Sequence, residues 1–240
     1  VALAHRPNGD LLASAALNGE VRLWPLGQPG TSRVLQPAGG PRITSLAYTT
    51  DGTLAGVSGT GGLIVWAQDR PDAAPRHLLA TRRLRSVAAG PGGTLAAGTV
   101  EGPILVLPRG LDGKPVELSG HTSAVTALGF GAKGERLASS SLDGSVRLWD
   151  VRDSEREPIV LSGHSGWVWA VAFSPDGAEL VSGGADRTVR TWPTRAIPML
   201  DAICSRVTRN LTPEEWAAYL PTDIPWQPTC NEAGSRSRPR

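Results

Sequence analysis

Short apolar runs separated by turn residues set the pattern of this chain, and the pattern repeats. Val21-Arg22-Leu23-Trp24, Leu63-Ile64-Val65-Trp66, Val146-Arg147-Leu148-Trp149 and Thr188-Val189-Arg190-Thr191-Trp192 each close on a tryptophan. These tryptophans lie 42, 83 and 43 residues apart, and the interval of 83 is two periods with Leu107 at the skipped position. Self-similarity at such a period marks a repeat architecture. Five units align on Leu12, Leu54, Leu95, Leu137 and Leu180. A turn precedes each leucine: Pro7-Asn8-Gly9, Thr50-Asp51-Gly52, Pro91-Gly92-Gly93, Lys133-Gly134 and Pro175-Asp176-Gly177. Asn-Gly and Asp-Gly supply the positive φ angles that tight hairpins need.

Each unit reads as four strands. A short apolar strand precedes the turn, clearest in Val125–Phe130 and Val168–Phe173. The second strand starts at the leucine and runs to another turn, such as Leu142-Asp143-Gly144 or Ala185-Asp186-Arg187. The third ends at the tryptophan. An outer fourth follows in Arg33-Val34-Leu35, His77-Leu78-Leu79, Pro115-Val116-Glu117-Leu118 and Pro158-Ile159-Val160-Leu161. One such antiparallel sheet alone is marginal. Stacking several around an axis buries both faces and leaves only short edges, so the pattern predicts an all-β propeller.

Units four and five resemble WD repeats. Ser119-Gly120-His121 precedes Val125–Phe130, then Leu137-Ala138-Ser139, Asp143-Gly144 and Leu148-Trp149-Asp150 follow. Ser162-Gly163-His164 precedes Phe173-Ser174-Pro175-Asp176-Gly177, then Ser182, Asp186 and Trp192. The resemblance implies a WD-repeat β-propeller over residues 1–194, with blades near 1–36, 42–80, 83–119, 121–162 and 164–194. It also implies a buried hydrogen-bond relay in each well-matched blade. Trp149 would donate to Ser139, which bonds His121, which bonds Asp143. Trp192, Ser182, His164 and Asp186 form the second set. Units one to three depart from the pattern: Asn18 replaces the turn aspartate, Gly56 and Ala97 replace the serine, and Leu107 replaces the tryptophan. These blades are expected to rely on apolar packing.

Ser, His and Asp together are also the residue types of a nucleophilic hydrolase. The same trio recurs at the same offsets, each tied to a tryptophan, which favours a structural role and leaves a hydrolase as a distant alternative. His5, His77, His121 and His164 do not cluster at metal-ligand spacing, so no metal is expected. No Gly-x-x-x-x-Gly-Lys-Ser/Thr motif is present, and no nucleotide or other cofactor is assigned.

The two ends of the repeat region are less regular. Leu200, Ile203, Cys204 and Val207 fall at i, i+3, i+4 and i+7, the spacing of an amphipathic helix, where a fourth strand of unit five would otherwise lie. The last blade is therefore expected to lack its outer strand. Two arrangements stay open: the C-terminal portion of a longer propeller, or a closed five-bladed ring. Thr212-Pro213-Glu214-Glu215 reads as a capped helix start with Leu211 and Trp216 as a hydrophobic staple, so residues 195–231 are expected to form a two-helix appendage. Residues 232–240 read as a disordered basic tail with too few arginines for a nucleic-acid arm. The segment from Cys204 through Trp216, Tyr219-Leu220 and Pro228-Thr229-Cys230 resembles the tail of bacterial WD-repeat proteins of the STAND NTPase type.

Composition adds modest limits. The chain has 240 residues, net charge +2 and 40% apolar residues, within the range of a globular domain. No apolar stretch is long enough for a membrane helix, and no signal peptide is expected at Val1-Ala2-Leu3-Ala4-His5-Arg6. Arginine dominates the cations, with Lys114 and Lys133 the only lysines, which suggests a GC-rich bacterial coding sequence. Cys204 and Cys230 are expected as reduced thiols of a cytoplasmic protein.

The positions just before the first strands hold Arg42, Arg83, Ala124 and Trp167. Arginine and tryptophan are frequent hot-spot residues, so Arg42, Arg83 and Trp167 are candidate partner contacts. The expected function is a non-enzymatic protein-interaction scaffold, the sensor or platform part of a larger bacterial signalling protein. The alternative is an autoinhibitory or ligand-sensing module of an upstream STAND-type NTPase. Protein partners are expected, and neither nucleic acid nor membrane insertion is.

Overall fold

In the computed structural model the described residues are 2–7, 9–28, 30–67, 74–109, 111–194, 209–210, 212–215 and 230. The chain divides into two compact units, residues 1–190 and 191–240. Strands follow the turns read above: β1 (Ala2–His5), β2 (Leu11–Ala15), β3 (Val21–Pro25) and β4 (Arg33–Gln36). Next come β5 (Ile43–Tyr48), β6 (Leu54–Ser58), β7 (Leu63–Trp66) and β8 (Arg76–Leu78), then β9 (Leu84–Ala89), β10 (Leu95–Thr99), β11 (Ile104–Leu107) and β12 (Val116–Leu118). The last two groups are β13 (Val125–Phe130), β14 (Arg136–Ser141), β15 (Val146–Asp150) and β16 (Ile159–Leu161), and β17 (Val168–Phe173), β18 (Glu179–Gly184) and β19 (Val189–Pro193). Each group is one antiparallel meander; four sheets have four strands and the fifth has three among the described residues.

The first strands stand side by side in chain order, β1 by β5, β5 by β9, β9 by β13 and β13 by β17. Side chains bridge them to neighbouring backbone: Val87 N donates to Ser45 Oγ at 3.1 Å, Ser86 Oγ to Val125 O at 2.9 Å and Thr126 Oγ1 to Val168 O at 2.5 Å. Among the described residues no comparable packing joins β17 to β1.

Period-two alternation sends each middle strand's side chains to both neighbours. Ala13, Ala15, Val21 and Leu23 of blade 1 pack on Ile43, Leu46, Leu54, Ile64 and Trp66 of blade 2. Ala55, Val57, Leu63 and Val65, from the opposite face of blade 2, pack on Leu84, Val87, Leu95, Ala97, Leu105 and Leu107 of blade 3. Ala96, Ile104, Val106 and Leu118 then meet Val125, Leu137 and Trp149 of blade 4. The residue ending the third strand thus faces the preceding blade. This separates tryptophans that look equivalent in sequence. Trp66 and Trp149 are 3% exposed, whereas Trp24 is 38% exposed because no blade covers that face of blade 1 among the described residues. The outer faces of the end blades also show Leu3, Leu17, Val181 and Val189 to solvent.

Close approach between blades explains two glycines. A Cβ on Gly19 would overlap the carbonyl of Gly40, and one on Gly102 (φ 124°) would overlap the carbonyl of His121. Each glycine lies in the turn after a second strand, where the loop leading to the next blade crosses it. The corresponding residue of blade 5 is Arg187, which holds φ 63°.

Gly56 has a different reason. It occupies the position of Ser139, and a Cβ there would lie 2.9 Å from the Trp66 ring and 3.1 Å from both Ile43 and Leu46 side chains. Blade 2 fills with indole the space that blade 4 gives to a hydroxyl. Gly56→Ser, which imitates blade 4, is therefore expected to destabilise by about 1–3 kcal/mol through overpacking. A chemical denaturation series against the parent chain measures this.

In the second unit, residues 213–215 are helical. Glu215 N donates to Thr212 Oγ1 at 3.2 Å and Thr212 N to Glu215 Oε2 at 2.9 Å, a reciprocal capping box. Arg209 donates to both Glu215 oxygens at 2.6 and 2.7 Å and holds that carboxyl down at about 2. The helix stretches expected through residues 200–207 and 216–220, and the tail 232–240, lie outside the described residues. Cys230 is buried and disulfide-bonded, which corrects the expectation of a reduced thiol there. Its backbone N–H is received by Asn210 Oδ1 at 2.7 Å, so the local chain is pinned on both the main-chain and the sulfur side. Cys204 lies outside the described residues. No helix among the described residues is long and apolar enough to cross a membrane.

Candidate functional site

Two constellations stand out, one buried and one exposed. The buried one begins at Trp149, brought opposite Leu137 by the β14–β15 register. Its indole N–H donates to Ser139 Oγ at 2.8 Å. Ser139 Oγ lies 2.7 Å from His121 Nε2, and His121 Nδ1 lies 2.7 Å from Asp143 Oδ2. Ionised Asp143 can only accept, so His121 Nδ1 carries the proton; in the neutral imidazole Nε2 is then the acceptor and takes the Ser139 hydroxyl proton, while a Ser139 lone pair takes the indole N–H. Asp143 also accepts Thr122 N at 3.1 Å, Ser145 N at 2.9 Å and Ser145 Oγ at 2.7 Å. The His121 ring meets the indole edge-on, with centroids 6.0 Å apart.

The electrostatics agree with this proton arrangement. Burial pushes the His121 pKa down from its ordinary 6.5, outweighing the Asp143 hydrogen bond that favours the cation. Burial alone would raise Asp143, but hydrogen bonds from Ser145 and His121 hold it at about 2 instead of 3.8. Both groups are depressed in the fold, so the unfolded chain takes up protons first as pH falls. Stability is full above 6.5, declines as pH drops below 6.5 through His121, and declines again from 3.8 toward about 2 through Asp143. The Asp143 step is worth about 2 kcal/mol. Urea midpoints taken across this range, in the parent and in His121→Gln, are expected to show the first step shrink in the variant.

Blade 5 carries a related set. His164 Nε2 lies 2.8 Å from Ser182 Oγ, and Nδ1 lies 3.0 Å from both oxygens of Asp186. Asp186 further accepts Ser165 N at 3.2 Å and Thr188 Oγ1 at 2.8 Å, and its carboxyl is held well below the usual range. Trp192 is half-buried on β19. Blade 1 keeps only a fragment, Trp24 Nε1 donating to Ser14 Oγ at 2.8 Å.

The exposed constellation lies where the chain enters each first strand. Arg42, Arg83, Ala124 and Trp167 occupy equivalent places, because each accepts one backbone N–H from the turn after its blade's second strand. The donors are Gly59 at 2.7 Å, Val100 at 2.8 Å, Leu142 at 3.0 Å and Ala185 at 2.7 Å. Blade stacking therefore sets these residues in a row along one lip. Arg42, Arg83 and Trp167 are exposed, and Ala124 is buried.

Sequence reading missed the second row of this lip. Two residues on, the first strands of blades 2 to 5 are bulged, and Thr44, Arg85, Thr126 and Trp169 are the residues skipped in the pairing. A bulge re-aims its side chain. Arg85 and Trp169 are consequently exposed beside Arg83 and Trp167. The signal for finding them was a polar or bulky residue after the first buried position of strands otherwise rich in small apolar residues. The Trp167 and Trp169 rings meet edge to face, 5.6 Å apart. Beside Trp167 a cavity of about 440 Å³ opens between the loop after β16 and the turn after β14. No cluster of metal-binding side chains occurs among the described residues.

The comparisons agree with the geometry. The family described as WD domain, G-beta repeat matches residues 1–25, 114–150 and 156–193. Periodic tryptophan protein 2 of Arabidopsis thaliana is 31% identical over 153 residues, 62% of this chain and 17% of that protein. The Ribosome biogenesis protein BOP1 homolog of the same plant is 53% identical over 36 residues, 15% of this chain and 5% of that protein. The chain thus spans a small part of the curated relatives it matches. A chain in a crystal structure of the mitotic checkpoint complex superposes with a TM-score of 0.69 at 24% identity, covering 80% of this chain and 59% of that one. The Cps50 (Swd1) β-propeller domain of Myceliophteria thermophila gives 0.68 at 22% identity, covering 81% and 66%. The fold is that of a β-propeller, and the described residues form five blades, of which the first, fourth and fifth match the WD-repeat model.

Proposed function

We propose that this chain is a non-enzymatic platform for protein association, presenting the first-strand lip to a partner. The observation carrying the proposal is the fixed placement of Arg42, Arg83 and Trp167 by one recurring backbone hydrogen bond. A rigid scaffold that holds arginine and tryptophan exposed meets the requirements of an interface hot spot. Similarity to WD repeats supports the same reading, as propellers are surfaces built for binding. The Ser-His-Asp sets serve stability in this account. Ser139 is 0% exposed and Ser182 1% exposed, so neither hydroxyl is open to a substrate, and Ser139 is held between the Trp149 indole and His121.

The finer setting is the platform end of a larger cytoplasmic signalling protein. The resemblance of the tail to STAND-type bacterial proteins supports it, although the curated relatives found are both plant proteins. Affinity purification with the parent chain and with an Arg42→Glu/Arg83→Glu/Trp167→Ala variant tests the platform. Partners retained by the parent and lost by the variant are the expected result; an identical partner set from both would overturn it. Ester hydrolysis that disappears in Ser139→Ala would overturn the non-enzymatic assignment.

A further inference from the structure

The lip is chemically lopsided, and this assigns a partner chemistry, resting on the reading of that lip as an interaction face. Over blades 2 and 3 it is cationic. Arg42, Arg83 and Arg85 are all exposed. Among the described residues neither Arg42 nor Arg85 has a carboxylate partner, and Arg83 has only Glu101, at 3.8 Å with both side chains more than half exposed. The other carboxylates on this side of blades 4 and 5, Asp143 and Asp186, are already filled with hydrogen bonds from their own blades. Their charge is committed inward. Over blade 5 the lip is aromatic, with Trp167 55% exposed and Trp169 43% exposed, while blade 4 contributes the small residues Ala124 and Thr126. The adjoining cavity of about 440 Å³ is walled by Trp167, Leu142, Gly144, Ser162, His164 and Ser165.

We propose that the lip binds an extended acidic segment of a partner protein, with a bulky apolar side chain at one end. Its carboxylates pair with Arg42, Arg83 and Arg85, and the apolar side chain seats against Trp167 in the cavity between blades 4 and 5. Guanidinium groups match carboxylates bidentately, which favours arginine over lysine for this task. Arg42 and Arg85 have no carboxylate partner among the described residues and Arg83 has only the loose, exposed contact to Glu101, so an incoming carboxylate has little to displace. The order of the blades gives the segment a direction: acidic over blades 2 and 3, apolar over 4 and 5. A nucleic acid is the poorer match. Its affinity is built from many phosphate contacts, whereas this lip offers three arginines and interposes Glu101.

The test selects a randomised dodecapeptide library on phage against the whole 240-residue chain. The recovered peptides are then measured by fluorescence anisotropy on the parent and on Arg42→Glu, Arg83→Glu, Arg85→Glu and Trp167→Ala. These side chains are exposed, and thermal melts check that the variants fold. The expected result is peptides with Asp and Glu on one side of a single large apolar residue. Their affinity falls about tenfold or more in each variant and weakens with added salt. Neutral or basic peptides that still lose affinity in Trp167→Ala would overturn the acidic assignment while leaving the interaction face standing. Peptides indifferent to Trp167→Ala, Arg42→Glu and Arg83→Glu alike would overturn the face itself. A labelled single-stranded oligonucleotide that binds tighter than any selected peptide, and is lost in Arg85→Glu, would replace the peptide by nucleic acid and so overturn the proposal.

Discussion

Trp149→Ala is expected to cost about 3–5 kcal/mol of folding free energy, the range for emptying a large aromatic from a packed core. Trp149 is 3% exposed and fills the seam between blades 3 and 4 against Ala96, Ile104, Val106 and Leu118. Its loss opens a cavity there and also leaves Ser139 with an unused lone pair. Two companions separate these contributions. Ser139→Ala keeps the packing and removes the hydroxyl, orphaning the buried indole N–H and His121 Nε2; a loss of about 1–3 kcal/mol is expected. Trp24→Ala removes the same residue type from a face that no blade covers among the described residues, and should cost only about 1–2 kcal/mol. Urea unfolding of the three variants reads the order directly. If Trp24→Ala were as damaging as Trp149→Ala, the assignment of the third-strand tryptophan to the preceding blade would fail.

Gly102→Ala is the second large effect, at about 2–6 kcal/mol. Two penalties add. The backbone holds φ 124°, a region in which a non-glycine residue costs about 1–3 kcal/mol. The new methyl group would also overlap the His121 carbonyl, and backbone cannot swing aside as a flexible side chain does. Relief requires prising blade 3 from blade 4, which overpacking estimates put at a further 1–3 kcal/mol or so. Since His121 is the residue displaced, the relay of blade 4 should loosen as well. Slower exchange protection of the Trp149 indole N–H should be lost in this variant before global unfolding. By contrast Gly92→Ala, at φ 73° with open space around it, is expected to pay the backbone term alone.

The strands were readable because turn chemistry brackets them: Asn-Gly, Asp-Gly and Pro-Gly pairs recur on a fixed period, and the alternating apolar residues between them suit half-buried or buried sheet. The residues of the blade 4 relay were readable for a similar reason. Ser139 lies ten residues before Trp149, on the facing strand of the same hairpin two residues along from its register partner Leu137, and His121 lies eighteen before Ser139. Such offsets survive in sequence because hairpin geometry ties them together. Other features depend on what lies across a blade boundary. Nothing local to Trp24 distinguishes it from Trp149; the difference is the presence of a neighbour. Gly56 reads as a missing serine until the Trp66 ring is seen in its place. Arg85 and Trp169 were hidden because a strand register with no bulge sends them elsewhere, and the bulge is a property of pairing rather than of composition. The oxidation state of Cys230 was not legible because a count of two cysteines fits a reduced pair as well as a bridge.

The fold sorts its indoles, burying Trp149 on a serine inside the blade stack and leaving Trp167 exposed on the lip. Hydrogen exchange of the indole N–H groups, followed by NMR on tryptophan-labelled protein, measures that sorting directly. The account predicts that the Trp149 N–H exchanges only on global unfolding, while the Trp167 N–H exchanges at once on dilution into heavy water. Equal, rapid exchange at both positions would contradict it.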